Sequence, residues 1–178
     1  IGGGVGIPPM IFLAEHIKNT TKNLSPLILM GSEIPFPFKI QPSKIMLKEM
    51  PADVIASMPL LDDWGIPSRL TSLNDYAGCF NGYVTELASI WLEKLDDDQR
   101  QEVEIFSCGP TPMLKAVSEL ANKYDLPCQV SLEEYMACAV GGCAGCTVLI
   151  KTENGNAMKR VCVDGPVFEA KSVVQFQN

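Results

Sequence analysis

Histidine is nearly absent from this chain. His16 stands alone among 178 residues, on a segment that reads as surface helix, and it is assigned no chemical role. One imidazole cannot build a multi-histidine metal site. Positive charge is scarce too: 14 Lys and Arg against 21 Asp and Glu leave a net charge of −7, with a pI near 4.7. No basic run offsets this balance, which argues against nucleic acid as a partner. No apolar stretch approaches the ~20 residues of a membrane span, so no membrane partner is expected. Signal-peptide pattern, internal repeat and low-complexity tract are all missing, and a cytoplasmic location is expected. The hydrophobic content of 47% nevertheless suits a globular chain with a sizeable core.

Cysteine, by contrast, is plentiful: there are seven. In an acidic, enzyme-like chain they point to metal or redox work rather than to bridges. Cys138, Cys143 and Cys146 lie in M-A-C-A-V-G-G-C-A-G-C-T-V, and Cys162 follows in R-V-C-V-D-G. C-x4-C-x2-C followed by a fourth cysteine is the spacing of a [2Fe–2S] cluster held by four thiolates. The intervening Ala139, Val140, Gly141, Gly142, Ala144 and Gly145 are nearly all small. Such residues permit a tight loop and let backbone N–H groups approach the sulfurs. Asn154-Gly155 predicts a hairpin between strands 147–152 and 157–163, with a type I′ turn that would set Cys162 opposite Thr147. A structural zinc site is the main alternative, although only Cys143 and Cys146 form the C-x2-C pair that zinc sites usually repeat. A disulfide framework is the other. Cys79 and Cys128 read as small buried hydrophobes.

Elsewhere the pattern alternates. Helices are expected from Pro9 to about Asn19, and over 59–64, 84–95 and 112–123. Strands are expected over 26–30, 54–56, 68–72, 103–107 and 128–131. The segment 33–51, with Pro35, Pro37, Pro42 and Pro51, reads as loop, and Asp96 to Arg100 as a solvated charge run. Alternating elements predict an α/β fold: a parallel Rossmann-like nucleotide-binding sheet with helices on both faces, plus a small C-terminal hairpin-containing cluster module. The domains are expected at 1–127 and 128–178. Ile1 opens directly into a glycine-rich turn without a preceding strand, so the chain is expected to be a fragment cut just before or inside a first β-strand.

Two loops could take a nucleotide. Gly2-Gly3-Gly4-Val5-Gly6 feeds a helix N-terminus, which favours an anion. Ser107-Cys108-Gly109-Pro110-Thr111-Pro112 lies between strand and helix, where ligands of α/β sheets bind.

The G-G-G-V-G-I-P-P and C-G-P-T-P-M segments resemble the nicotinamide-binding half of ferredoxin–NADP⁺ reductase-like flavoproteins. With the four-cysteine motif and K-R-V-C-V-D-G-P-V-F added, the whole chain resembles the electron-transfer subunits of NAD-dependent dihydroorotate dehydrogenases. The resemblance implies an oxidoreductase subunit of pyrimidine biosynthesis. Its partner would be an FMN-containing catalytic subunit in a heterotetramer, and electrons would reach NAD through a [2Fe–2S] cluster and FAD. It implies that Cys138, Cys143, Cys146 and Cys162 hold the metal, and that Gly3, Gly4 and Gly6 form the pyrophosphate turn. Cys108, Gly109 and Pro110 would lie near the nicotinamide, with Cys108 facing the flavin contact and no further catalytic residue. The family's N-terminal FAD-binding barrel has no counterpart here, so the chain alone is expected to be inactive. No arginine follows the strand 26–30, which favours NAD over NADP, although Lys39 lies in the next segment. A ferredoxin–NADP⁺ transhydrogenase or sulfide dehydrogenase subunit, and a non-enzymatic zinc-binding module, are the competing readings.

Overall fold

The computed structural model describes residues 1–20 and 23–177. It is an α/β fold whose strands pair mostly in parallel, and contacts divide it into two compact units, residues 1–102 and 103–178.

The first unit runs β1 (Gly2–Gly3), a 3-10 turn at Gly4–Gly6, α1 (Ile7–Thr20), β2 (Ile28–Gly31), β3 (Gln41–Pro42) and β4 (Ala56–Ser57). It continues with α2 (Pro59–Asp63), β5 (Ser68–Ser72), β6 (Phe80–Asn81), α3 (Val84–Lys94) and α4 (Asp97–Gln101). Strands β1, β2, β5 and β6 lie side by side and pair in parallel, with Gly2 opposite Met30, Met30 opposite Leu70 and Thr71 opposite Phe80. The glycine-rich opening is therefore itself a short strand, and the turn begins only at Gly4, where φ is +53°. At Gly2 an added Cβ would stand 3.2 Å from the Gly6 carbonyl oxygen, Ile7 Cα and Met10 Cγ. Only glycine lets helix and strand approach so closely there. Pro8 and Pro9 fall in the first turn of α1, where no intrahelical N–H is missed. Ile7, Ala14, Ile28, Met30, Leu61 and Leu70 form the buried core.

The proline-rich segment is mostly loop as expected, but it is pinned at several points. Strands β3 and β4 pair antiparallel, and Phe36 is buried in the core. The Asp62 carboxylate accepts hydrogen bonds from Ser43 Oγ (2.9 Å) and the Lys44 amide (2.7 Å). Buried Arg69 donates to the Ile45 carbonyl at 2.8 Å. The charge run at 96–100 is not merely solvated surface. Asp96 accepts from the Gln99 amide at 2.8 Å and Gln99 reaches back to the Asp96 amide, a capping box that starts α4.

The second unit runs β7 (Ile105–Cys108), α5 (Thr111–Lys123), β8 (Cys128–Ser131), β9 (Thr147–Thr152), β10 (Gly155–Arg160), α6 (Val161–Asp164) and β11 (Val167–Glu169). Strands β7 and β8 are parallel, whereas β11 pairs antiparallel with β8, Phe168 opposite Val130. The sheet is thus mixed rather than wholly parallel. Three residues are too few to show a strand period, which is why β11 left no trace in the sequence pattern.

The hairpin β9–β10 forms, but its register differs from the expected one. Thr152 faces Gly155 and Thr147 faces Arg160, not Cys162. Gly155 has a φ of +104° while Asn154 keeps a negative one, so a single left-handed position suffices where a type I′ turn needs two. The turn moves one residue toward the N-terminus, each partner on β10 shifts by two, and Cys162 passes beyond the ladder into α6.

Asp62→Ala removes both acceptors that hold 43–44, and it is expected to lower stability by about 1–2 kcal/mol. Amide exchange should accelerate at Lys44 and stay slow at Leu70, as hydrogen–deuterium exchange would report.

Candidate functional site

Between β8 and β9 the chain makes a loop with three left-handed residues: Ala139 (φ +55°), Gly141 (+79°) and Ala144 (+54°). Left-handed backbone at a residue with a Cβ is unfavourable, so two alanines there are a local strain with a local cause. The cause is visible in where the N–H groups go. The Cys143 amide donates to Cys138 Sγ at 3.4 Å, and the Gly145 amide to Cys143 Sγ at 3.4 Å. Amides of Val140 and Gly142 also donate to Cys138, as does the Cys143 thiol, and these donors draw the Cys138 thiol down to about 6.

Cys162 arrives by another route than the expected ladder position. The Val161 amide donates to the Cys146 carbonyl at 3.0 Å, and the first turn of α6 then sets Cys162 beside Cys146. The two side chains hydrogen-bond. Amide and thiol of Cys162 donate to the Cys146 sulfur and lower its pKa, while donating that proton raises the pKa of Cys162. Cys162 also accepts from the Gly141 amide and lies within electrostatic reach of Cys138. The four thiols are thereby brought together as two pairs, Cys138 with Cys143 and Cys146 with Cys162. Among the described residues, no three His, Cys, Asp or Glu side chains gather closely enough to grip one metal ion. Cys146 is buried, Cys143 is exposed, and the other two lie between.

Arg160 and Asp164, both overlooked in the sequence, frame Cys162. Arg160 Nη1 donates to the Gly141 carbonyl at 3.1 Å, while its amide (2.8 Å) and Nε (3.3 Å) both donate to Asp164 Oδ2. These bonds hold the Asp164 carboxyl below its usual range. The one sequence sign was an arginine and an aspartate spaced equally about the cysteine.

The same unit carries a cleft of about 560 Å³, lined by Gly109, Pro110 and Thr111 on one side and by Leu132, Glu133, Glu134, Tyr135 and Met136 on the other. It opens where the parallel strands β7 and β8 end, with Cys108 opposite Ser131. Gly109 and Pro110 line the cleft, but Cys108 does not. It is 3% exposed, hydrogen-bonds Ser131, and has its thiol pKa pushed up by burial. Burial likewise pushes Cys128 up to about 12. Both thiols keep their protons and pack. Glu133 and Glu134 were missed because an acidic pair after a strand ordinarily reads as solvated surface. In the first unit Gly3 closes β1, Gly4 takes the left-handed turn and Gly6 is buried ahead of α1. At Gly4 a Cβ would meet nothing within 4 Å, so open space lies beside the turn.

Residues 133–174 match the family model described as the iron–sulfur cluster binding domain of dihydroorotate dehydrogenase B. The chain is 33% identical over 174 residues to the electron transfer subunit of dihydroorotate dehydrogenase B (NAD⁺) from Caldanaerobacter subterraneus subsp. tengcongensis, covering 98% of this chain and 58% of the relative. The corresponding subunit of Shouchella clausii is 30% identical, with 98% and 56% covered. The chain thus spans a little over half the length of these relatives. Among solved structures it resembles a chain from a study of flavin-based electron bifurcation in an NADH-dependent reduced ferredoxin–NADP oxidoreductase. There the TM-score is 0.66 at 25% identity, over 97% of this chain and 51% of that one. The chain thus matches electron-transfer subunits of dihydroorotate dehydrogenase B over nearly its whole length, in agreement with the resemblance its motifs carry. Among the described residues no helix is long and apolar enough to cross a membrane.

At Gly141 an added Cβ would lie 2.7 Å from Val163 Cγ2 at a φ of +79°, whereas at Gly142 it would meet nothing within 4 Å. Gly141→Ala is therefore expected to cost about 1–3 kcal/mol and to loosen Cys162, while Gly142→Ala is nearly neutral. Thermal melting together with alkylation rates at Cys162 would separate the two variants.

Proposed function

We propose that this chain is the nicotinamide- and cluster-bearing part of an electron-transfer subunit that links dihydroorotate oxidation to NAD⁺ in pyrimidine biosynthesis. Dihydroorotate is oxidised by an FMN-containing catalytic partner in a cytoplasmic heterotetramer, and a [2Fe–2S] cluster and FAD are the carriers. Residues 1–127 serve mainly the nucleotide and residues 128–178 mainly the cluster, with Leu132 to Met136 forming one wall of the nucleotide cleft.

The carrying observation is the arrangement of thiols in two pairs. A tetrahedral zinc wants all four sulfurs about one point, whereas a two-iron cluster takes two sulfurs at each iron. Cys138 with Cys143, and Cys146 with Cys162, suit the second demand. When bound, such a cluster supplies one-electron exchange. The amides of Val140, Gly142 and Cys143 neutralise part of the charge on Cys138, and Gly145 does the same at Cys143. Hydrogen bonds of this kind favour the reduced state. Buried Cys146 keeps its side of the site away from water.

The cleft takes the nicotinamide end of NAD. Backbone at Gly109 and Pro110 lets a planar ring approach, and in the first turn of α5 only the Thr111 and Met113 amides lack a partner within the helix. Glu133 and Glu134 accept hydrogen bonds from hydroxyl or amide groups there, and the lack of an arginine after β2 favours NAD over NADP, whose 2′-phosphate wants a positive partner. In the first unit, taken by itself, Gly4 and the start of α1 offer a place for a phosphate group. Cys108 supports the Gly109 turn from beneath as a neutral thiol.

The likeness to the ferredoxin–NADP oxidoreductase chain favours one second reading, a bifurcating or transhydrogenase subunit. One experiment separates the two. The full-length protein, FAD-binding barrel included, is reconstituted anaerobically with iron and sulfide, then combined with a candidate FMN partner. The proposal expects about two irons and two sulfides per chain, a red-brown colour, and NADH formed on adding dihydroorotate. Zinc without sulfide would overturn the cluster assignment. Reduction by NADPH and ferredoxin but never by dihydroorotate would move the chain to the second reading.

A further inference from the structure

Cys162 is the ligand that arrives from farthest along the chain, and its position is set by one peptide unit. The Gly141 amide donates to the Cys162 sulfur, while the Gly141 carbonyl accepts from Arg160 Nη1 at 3.1 Å. Arg160 is held in turn by Asp164 through two bonds, at 2.8 and 3.3 Å. These charged residues stand two positions before and two after the cysteine. Gly141 has no alternative, because a Cβ there would lie 2.7 Å from Val163 and 3.2 Å from Arg160 Nη1.

We propose that Arg160 and Asp164 are positioning residues that clamp Cys162 onto the Gly141 peptide and balance charge beside the cluster. The inference rests on the cluster reading above. The clamp ties the three-cysteine loop to the end of β10, so neither half of the site can drift from the other. The ion pair is also neutral overall. Removing one member leaves the other as an uncompensated charge next to a redox centre, and the two removals act in opposite directions. A lone carboxylate disfavours an added electron, and a lone guanidinium favours it.

The test uses full-length, cluster-loaded R160Q, D164N and R160K, each compared with the unsubstituted protein by iron and sulfide content first. If the unsubstituted protein holds no cluster, the underlying function fails rather than the clamp. Cluster loss to a chelator is expected to accelerate on the order of 10-fold in R160Q and D164N, typical of outer-shell partners of a metal site. The midpoint potential should fall in R160Q and rise in D164N, with R160K staying near the unsubstituted value. Simple loosening would expose the cluster in both variants and move both potentials the same way. Unchanged potentials, or shifts of the same sign, would overturn the clamp. Should R160Q hold no cluster, D164N decides alone: a raised potential supports the clamp, and an unchanged or lowered one ends it.

Discussion

One backbone hydrogen bond governs the site: the Val161 amide to the Cys146 carbonyl, at 3.0 Å. It adds one rung to the β9–β10 ladder just beyond the pairing of Thr147 with Arg160. The chain then turns into α6, and the fourth cysteine comes to rest against the third. That rung holds because the hairpin is anchored below it. Val148 and Ile150 alternate inward on β9, and Ile150 bridges to Val173 beside buried Phe176. Burying each such side chain stabilises by roughly 1.5–3 kcal/mol. The placement of a sulfur thus traces back to apolar packing several residues away.

The three-cysteine loop shows the opposite balance, with strain set against polar contacts. Ala139 and Ala144 hold left-handed backbone, unfavourable by about 1–2 kcal/mol each. In return the loop turns its N–H groups inward onto sulfur. Hydrogen bonds to a charged acceptor are roughly twice as strong as neutral ones. This conformation is therefore best compensated when the sulfurs carry charge, either as thiolates or bound to metal. Ligand charge and loop order are coupled through these amides, and the Arg160–Asp164 pair extends the coupling to the hairpin.

Local features were legible in the sequence and long-range ones were not. The strands at 68–72 and 128–131 depend on neighbours in the chain and stand where expected, and the small residues between the cysteines do form a tight loop. The hairpin was legible too, but not its register. Asn154-Gly155 suggests two left-handed residues, and the structure needs only the glycine. Strand β1 consists of two glycines, which carry no strand signal and are extended because Met30 and Gly31 pair with them. The segments β6 and β11 are likewise too short to show a period and take their form from β5 and β8. Arg160 and Asp164 were overlooked in the sequence, because only the fold brings Arg160 onto the Gly141 carbonyl of the cysteine loop. The burial of Cys108 was not legible either: its motif position says nothing of packing, and the thiol is buried.

Iron K-edge X-ray absorption on the anaerobically reconstituted chain, with and without Cys162→Ser, tests the central claim most directly. The account predicts an all-sulfur shell with an iron neighbour at every iron, and an oxygen ligand or a lost iron once Cys162 is replaced. A mononuclear signal, or a spectrum indifferent to the Cys162 substitution, would contradict it.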